Sequence, residues 1–372
     1  MVHAGHRDMY HGATIQARVG GCMARTMKAV RKAAPRQGFT IQEIPVPAIG
    51  PDEVLIRIEA ASICGTDLHI WAWDESIAKI VKPPVTVGHE MTGVIAEVGK
   101  NVKGFKEGDY VSPESHITCG ACTECIASRF HMCVRNGTLG MTMDGGFAQY
   151  VKVPSKVLWR NNRDKIPPEV ATLQEPFGNA MYATKDYDLA GKTVAILGCG
   201  PIGLFTIGIV RAAGAGHILA TDTREFRLGL AKKMGATDTF NPAKDGDPAE
   251  WMRGLSGGEG VDVVFEMSGA QAAMDAAFKG VRKGGGVTLF GIPAGPVTLD
   301  VSGGMIFKNL TIQAVSGRRI FEDWHRTRAL LESGAVDVRP LISKQIPLDD
   351  VEEGVQLLRA GEACKIVLRP NG

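Results

Sequence analysis

Apolar positions follow two different rhythms along this chain. From Met27 to Val111, short runs such as Val54-Leu55-Ile56-Arg57-Ile58 alternate with Pro45, Pro47, Gly50-Pro51 and Pro83-Pro84. Strand-like runs broken by turn residues predict a small, mostly antiparallel barrel. From Thr193 the rhythm changes. Thr193-Val194-Ala195-Ile196-Leu197 is short, apolar and partly β-branched, which suits a strand buried in a parallel sheet. A helix-like apolar run follows, then the short segment Ile218-Leu219-Ala220, and further strands are predicted at Val261–Glu266, Gly286–Phe290 and Leu310–Val315. Beyond Ile320 the pattern predicts a helix carrying Trp324, Leu330 and Leu331, another over Asp349–Arg359, and a last strand at Lys365–Leu368.

Between the first α/β strand and its helix lies Gly198-Cys199-Gly200-Pro201-Ile202-Gly203, a G-x-G-x-x-G turn. Gly198 permits the tight turn, Gly200 lets a pyrophosphate approach the backbone, and Gly203 lets the helix pack closely on the strand. The helix start offers amide donors and a positive dipole end to phosphates. Asp222 closes the second strand about 20 residues on, where a carboxylate meets an adenosine ribose hydroxyl. Strand, turn, helix and acid together predict a dinucleotide site.

Composition narrows the function classes. A chain of 372 residues with 44% hydrophobic residues is long enough for two domains with sizeable cores. Net charge is +2, from 42 basic and 40 acidic residues, so nothing points to nucleic acid or an anionic membrane. No apolar run reaches the roughly 18 residues of a membrane span. Residues 1–26 hold His3, His6, His11 and Cys22 with little periodicity, and are expected to be a disordered extension or a misassigned start rather than a metal-binding tail. Of the eight cysteines, Cys119, Cys122, Cys125 and Cys133 follow a C-x2-C-x2-C-x7-C spacing. Four thiolates this close can close a tetrahedral zinc site with no open position, in a reducing compartment such as the cytoplasm. Iron–sulfur ligation and disulfides are the rival readings of the spacing. His131, inside that loop, is expected at the surface.

Cys64, in Cys64-Gly65-Thr66-Asp67, and His89-Glu90, in Gly88-His89-Glu90-x-x-Gly93, offer sulfur, nitrogen and oxygen ligands of the kind a catalytic zinc uses. These two motifs, with Gly99-x-x-Val102 and Phe105-Lys106-x-Gly108-Asp109-x-Val111, resemble the zinc-dependent medium-chain alcohol dehydrogenases from Met27 to the C-terminus. The resemblance implies an α/β fold. A chaperonin-10-like (GroES-like) β-barrel catalytic domain, residues 27–180 and 319–372, would hold a Rossmann doubly wound NAD-binding domain, residues 181–318, as an insertion. It implies two zinc ions per chain, a structural one in the four-cysteine lobe and a catalytic one on Cys64 and His89, with Glu90 or Glu175 as the carboxylate ligand.

The resemblance also assigns roles. A Lewis acid stabilises charge on an alcohol oxygen near neutral pH. Thr66, two residues after Cys64 and read as lying on the same side of an extended chain, would take the substrate proton and pass it through the cofactor ribose to His69. Phe290, Gly291, Ile292, Val315 and Ser316 would line the nicotinamide half of the site, and Arg227 would lie against the adenosine. The stretches Gly108–Gly120, Leu173–Ala180 and Val315–Arg318 look most like the branch of the family that oxidises L-threonine to 2-amino-3-oxobutanoate. There His116 matches a position that shapes substrate choice. A polyol or 2,3-butanediol dehydrogenase is the alternative within the family, and a non-enzymatic nucleotide-binding protein the alternative outside it. A small-molecule substrate is implied, with no nucleic acid or membrane partner, and relatives of this kind commonly form homotetramers.

Overall fold

The computed structural model describes residues 25–372. The expectations placed on residues 1–24, including His3, His6, His11 and Cys22, lie outside the described residues. Structure begins with the strand Thr26–Lys32, which pairs antiparallel with Thr40–Pro45 and with Val85–Thr86. A second sheet carries the long strand Glu53–Ser62 at its centre, paired antiparallel with Glu90–Val98 and Tyr150–Pro154. Alternate positions of these strands, among them Val54, Ile56 and Ile58, face one apolar core with Val87, Phe147 and Val151. The turn residues of the first rhythm therefore close a β-barrel-like unit around a single interior.

Six parallel strands form the other unit, in the spatial order Asp238–Phe240, His217–Thr221, Thr193–Leu197, Val261–Glu266, Val281–Leu289 and Thr311–Ala314. This is the doubly wound order, with the first strand central and its carboxyl end at the switch point. Period-two alternation on Thr193–Leu197 explains the uniformly apolar sequence. Val194 and Ile196 pack with Leu204 and Phe205 on one face, whereas Ala195 and Leu197 pack with Ala249, Met252 and Phe278 on the other.

The last part of the chain returns to the first unit. Lys365–Arg369 pairs with Glu53–Ser62, placing Val367 opposite Ser62, and the strand Ile342–Pro347 joins it in parallel. The helix Glu322–Glu332 buries Trp324 and Leu331. Residues from both ends of the sequence thus share the sheet from which the candidate chemistry projects.

Candidate active site

Pairing of two strands builds the first metal-ligand set. Ser62 lies opposite Glu90 in the ladder, so the residues just beyond one strand and just before the other meet at the sheet's end. Ligand atoms of Cys64, His89 and Glu90 lie within 4.8 Å of one another. Cys64 is the N-cap of the helix Gly65–Ala72, and the Asp67 carboxylate at the third helical position accepts the Cys64 amide at 2.9 Å. The other Asp67 oxygen sits 3.9 Å from His89 Nδ1. At that separation the carboxylate is beyond hydrogen-bond reach and acts on the ring through its charge alone.

Glu90 is fully buried, and Lys365 and the Ser62 hydroxyl both donate to its Oε2. Its Oε1, His89 Nδ1 and Asp67 Oδ1 are buried without hydrogen-bond partners among the described residues. Orphaned polar atoms beside a thiol suit a cation, which would satisfy the ligand atoms among them. Glu175 stands outside this set. It lies in the first turn of the helix Gln174–Thr184, where Oε1 accepts from Ser115 Oγ and Arg318 Nη2, each at 2.7 Å.

Thr66 does not lie on extended chain. It occupies the first turn of the helix Gly65–Ala72, its Oγ1 3.9 Å from Cys64 Sγ, because the capping box starts the helix directly after Cys64. His69 follows at i+3 on the same helix, a spacing that keeps both on neighbouring positions of one face. The His69 side chain is 65% exposed, and its Nδ1 meets Asp74 Oδ2 at 2.5 Å. The Ser76 hydroxyl, the Ile77 amide and His69 hold the Asp74 carboxyl down to about 2. His69 is therefore in contact with both solvent and a charged acceptor.

The four-cysteine lobe closes on itself. All four sulfurs lie within 4.8 Å of one another, with Cys122 Sγ 3.5 Å from Cys125 Sγ and 3.9 Å from Cys133 Sγ. These separations are near the ~3.8 Å edge of a Zn–S₄ tetrahedron, and the four thiols are free, which removes the disulfide reading. Backbone amides of Ala121 and Cys122 hold the Cys119 thiol down to about 5. His131, expected at the surface, is instead half-buried: Nε2 lies 3.2 Å from Tyr182 Oη, and the rings meet edge-on at 5.2 Å.

At the dinucleotide turn, Gly198 has φ +103°, and a Cβ on Gly203 would stand 2.0 Å from the Gly198 carbonyl oxygen. Only glycine allows the helix Pro201–Ala212, with Ile202 in its first turn, to approach so closely. A Cβ on Gly200 would meet nothing within 4 Å, which leaves free the space where a pyrophosphate approaches the backbone. Asp222 Oδ2 accepts the Cys199 amide at 2.9 Å and lies 3.5 Å from Arg227 Nη1, and Oδ1 accepts the Arg224 amide. Gly198, Asp222 and Arg227 line one cavity of about 440 Å³ that can take an adenosine end.

The remaining predicted residues sit past the carboxyl ends of later strands. Phe290, Gly291 and Ile292 follow Val281–Leu289; Gly291 backs against Gly269, and Ile292 is exposed. Val315 and Ser316 follow Thr311–Ala314 and line a second cavity of about 350 Å³ with His116, His131, Asn136, Tyr182 and Arg318. Sequence reasoning gave no role to Asp67, Glu114, Arg318 or Lys365. Asp67 carried a usable signal, since an acid three residues after a helix-starting residue marks a capping box.

Known proteins share this arrangement. Residues 50–163 match the alcohol dehydrogenase GroES-like domain and residues 201–333 the zinc-binding dehydrogenase domain. An L-threonine 3-dehydrogenase from Bacillus velezensis is 46% identical over 94% of this chain and 100% of its own length. The enzyme of the same name from Thermococcus kodakarensis is 41% identical over 94% and 99%. Among solved structures, 2R,3R-butanediol dehydrogenase from Bacillus subtilis superposes with TM-score 0.85 at 30% identity, over 93% of this chain and 100% of that one. A Sinorhizobium meliloti zinc-binding dehydrogenase bound to NADP gives TM-score 0.86 at 30% identity over the same shares. With its GroES-like unit, its Rossmann unit and its two ligand sets, the chain belongs to the zinc-dependent medium-chain alcohol dehydrogenases.

Proposed function

We propose that this enzyme oxidises the 3-hydroxyl of L-threonine to 2-amino-3-oxobutanoate with NAD. The observation that carries the reading is the Cys64, His89 and Glu90 set in a chain 41–46% identical to several L-threonine 3-dehydrogenases over nearly its whole length. Zinc, when bound there, supplies positive charge at the reacting oxygen, and NAD supplies the hydride acceptor. Cys64, His89 and Glu90 would hold the ion, with Glu175 in reserve on Arg318. Thr66 Oγ1 would take the substrate hydroxyl proton and pass it through the cofactor ribose to His69, which is open to water and would exchange it with solvent.

Gly198, Gly200, Ile202 and Gly203 would hold the pyrophosphate, Asp222 and Arg227 the adenosine, and Phe290, Gly291, Ile292, Val315 and Ser316 the nicotinamide end. Asp222 supports NAD over NADP, because a 2′-phosphate there would meet like charge. Cys119, Cys122, Cys125 and Cys133 would hold the second, structural zinc. In this reading residues 27–180 and 319–372 form the catalytic unit and 181–318 the nucleotide unit.

The proposed assembly is a homotetramer. Thr311–Ala314 is an edge strand with its outer side unpaired among the described residues, and Ile306, Phe307 and Ile312 are exposed beside it. Among the described residues no helix is long and apolar enough to cross a membrane. A cytoplasmic location is supported by four clustered free thiols, which persist where the medium is reducing. The second reading, a 2,3-butanediol or polyol dehydrogenase, is favoured by the butanediol dehydrogenase superposition. Purified enzyme assayed with NAD against L-threonine, sorbitol and 2,3-butanediol separates the two.

A further inference from the structure

The last strand brings an ammonium to the candidate ligand set, and no step above uses it. Lys365 opens the strand Lys365–Arg369, and its side chain is 2% exposed. The Ile63 amide donates to the Ile366 carbonyl at 3.0 Å, which sets the start of this strand beside the residues that lead into Cys64. From there Lys365 Nζ donates to the Ile63 carbonyl at 3.0 Å and to Glu90 Oε2. A lysine is buried this deeply only where such partners replace its water.

The contacts on Glu90 are one-sided. Oε2 accepts from both Lys365 Nζ and the Ser62 hydroxyl, whereas Oε1 is buried with no partner among the described residues. Its free oxygen is left for a cation shared with Cys64 and His89. An ammonium on the same carboxylate is a like charge to that cation, in a place where water screens neither. The basic side chain bonded to a sulfur of the four-cysteine lobe, Arg135, is by contrast exposed, 3.7 Å from Cys119 Sγ.

We propose that Lys365 is a positioning residue that competes with the catalytic metal for Glu90: it holds Oε2, leaves Oε1 alone for the metal, and lowers the site's hold on that ion. The proposal rests on the reading of Cys64, His89 and Glu90 as the ligand set. Without metal, the ammonium balances the buried carboxylate. With metal bound, the same ammonium repels the ion across the shared carboxylate. Removing the charge therefore destabilises the metal-free form and stabilises the loaded form, and both changes tighten binding.

Cobalt(II) is the probe, because its visible absorption reports binding without turnover. Full-length enzyme exchanged with cobalt(II) is challenged with a graded chelator, and the part of the spectrum that Cys64→Ser lacks is assigned to the catalytic set. Lys365→Met removes both charge and donor. Lys365→Gln removes the charge but keeps an amide donor for Glu90, and serves if the first variant fails to fold. In either, the dissociation constant of the Cys64-dependent site should fall about tenfold or more. Ser62→Ala removes the other donor on Oε2 but no charge, and should change the constant less than about threefold. The constant for the four-cysteine lobe should stay within about twofold in all three variants.

Lys365→Arg, which returns a cation, should bring the constant back toward that of the unmodified enzyme. Equal or weaker cobalt binding in the Lys365→Met and Lys365→Gln variants would mean a merely structural lysine and would overturn the proposal. A Ser62→Ala effect as large as that of Lys365→Gln would overturn it too, since charge would then not be the cause. In both cases the Cys64-dependent spectrum remains, and the ligand set stands. If Cys64→Ser removed no part of the cobalt spectrum, the ligand set itself would fall, and the proposal with it.

Discussion

Replacing Arg318 with Met removes a side chain that is 1% exposed and ion-paired with two buried carboxylates, Glu114 and Glu175. The methionine fills comparable apolar volume but leaves both acids without their cation. Stranding a buried charge by removing its partner costs about 3–5 kcal/mol. Urea denaturation at neutral pH should show a loss of that size, a large share of a typical stability of 5–15 kcal/mol. Arg339→Met provides the contrast, because Arg339 is 70% exposed and pairs with a half-exposed Asp337; its loss should stay below about 1 kcal/mol.

The pH dependence has a definite sign. The folded-state pKa of Glu114 is depressed from 4.5, so its stabilisation is fully present above that value and fades as pH falls below it. The gap between the unmodified enzyme and Arg318→Met should therefore be widest near neutral pH and narrow on acidification below about 4.5. Equal losses for the two arginine variants, or a gap that widens in acid, would refute the reasoning.

Four other outcomes follow from the structure. Gly203→Ala should cost about 1–3 kcal/mol and weaken NAD binding, since its Cβ would stand 2.0 Å from the Gly198 oxygen; thermal melts with and without NAD check both. Cys64→Ser should abolish turnover and leave the melting temperature nearly unchanged. Cys122→Ser should chiefly lower the melting temperature, because it opens a closed site. Asp222→Gly should narrow the ratio of kcat/KM for NAD over NADP, measured with L-threonine.

Local features were legible in the sequence, and long-range ones were not. The turn at Gly198–Gly203 depends on glycines a few residues apart, and the four-cysteine lobe on one loop, so spacing alone carries their geometry. The Cys64 and His89 pairing was readable through motif resemblance, although the helix after Cys64 was missed because Asp67 was not recognised as half of a capping box. Nothing local marks the contacts that complete the site. Arg318 and Glu114 are 204 positions apart, Trp324 and Glu114 210, and Lys365 and Glu90 275. These pairs form only because the last strand and the helix Glu322–Glu332 return to the first unit. His131 was misplaced for the same reason, since Tyr182, which half-buries it, comes from the helix Gln174–Thr184.

The central claim is that this dehydrogenase is built for an amino-acid alcohol. The most direct measurement is kcat/KM with NAD for L-threonine, 2,3-butanediol and sorbitol on one preparation of the zinc-loaded enzyme. A site with buried polar groups committed to a charged substrate rejects analogues that leave those groups unpaired, by factors on the order of 10⁴ in favourable cases. L-Threonine should therefore exceed both uncharged alcohols by a wide margin. A higher kcat/KM for 2,3-butanediol or sorbitol would contradict the account.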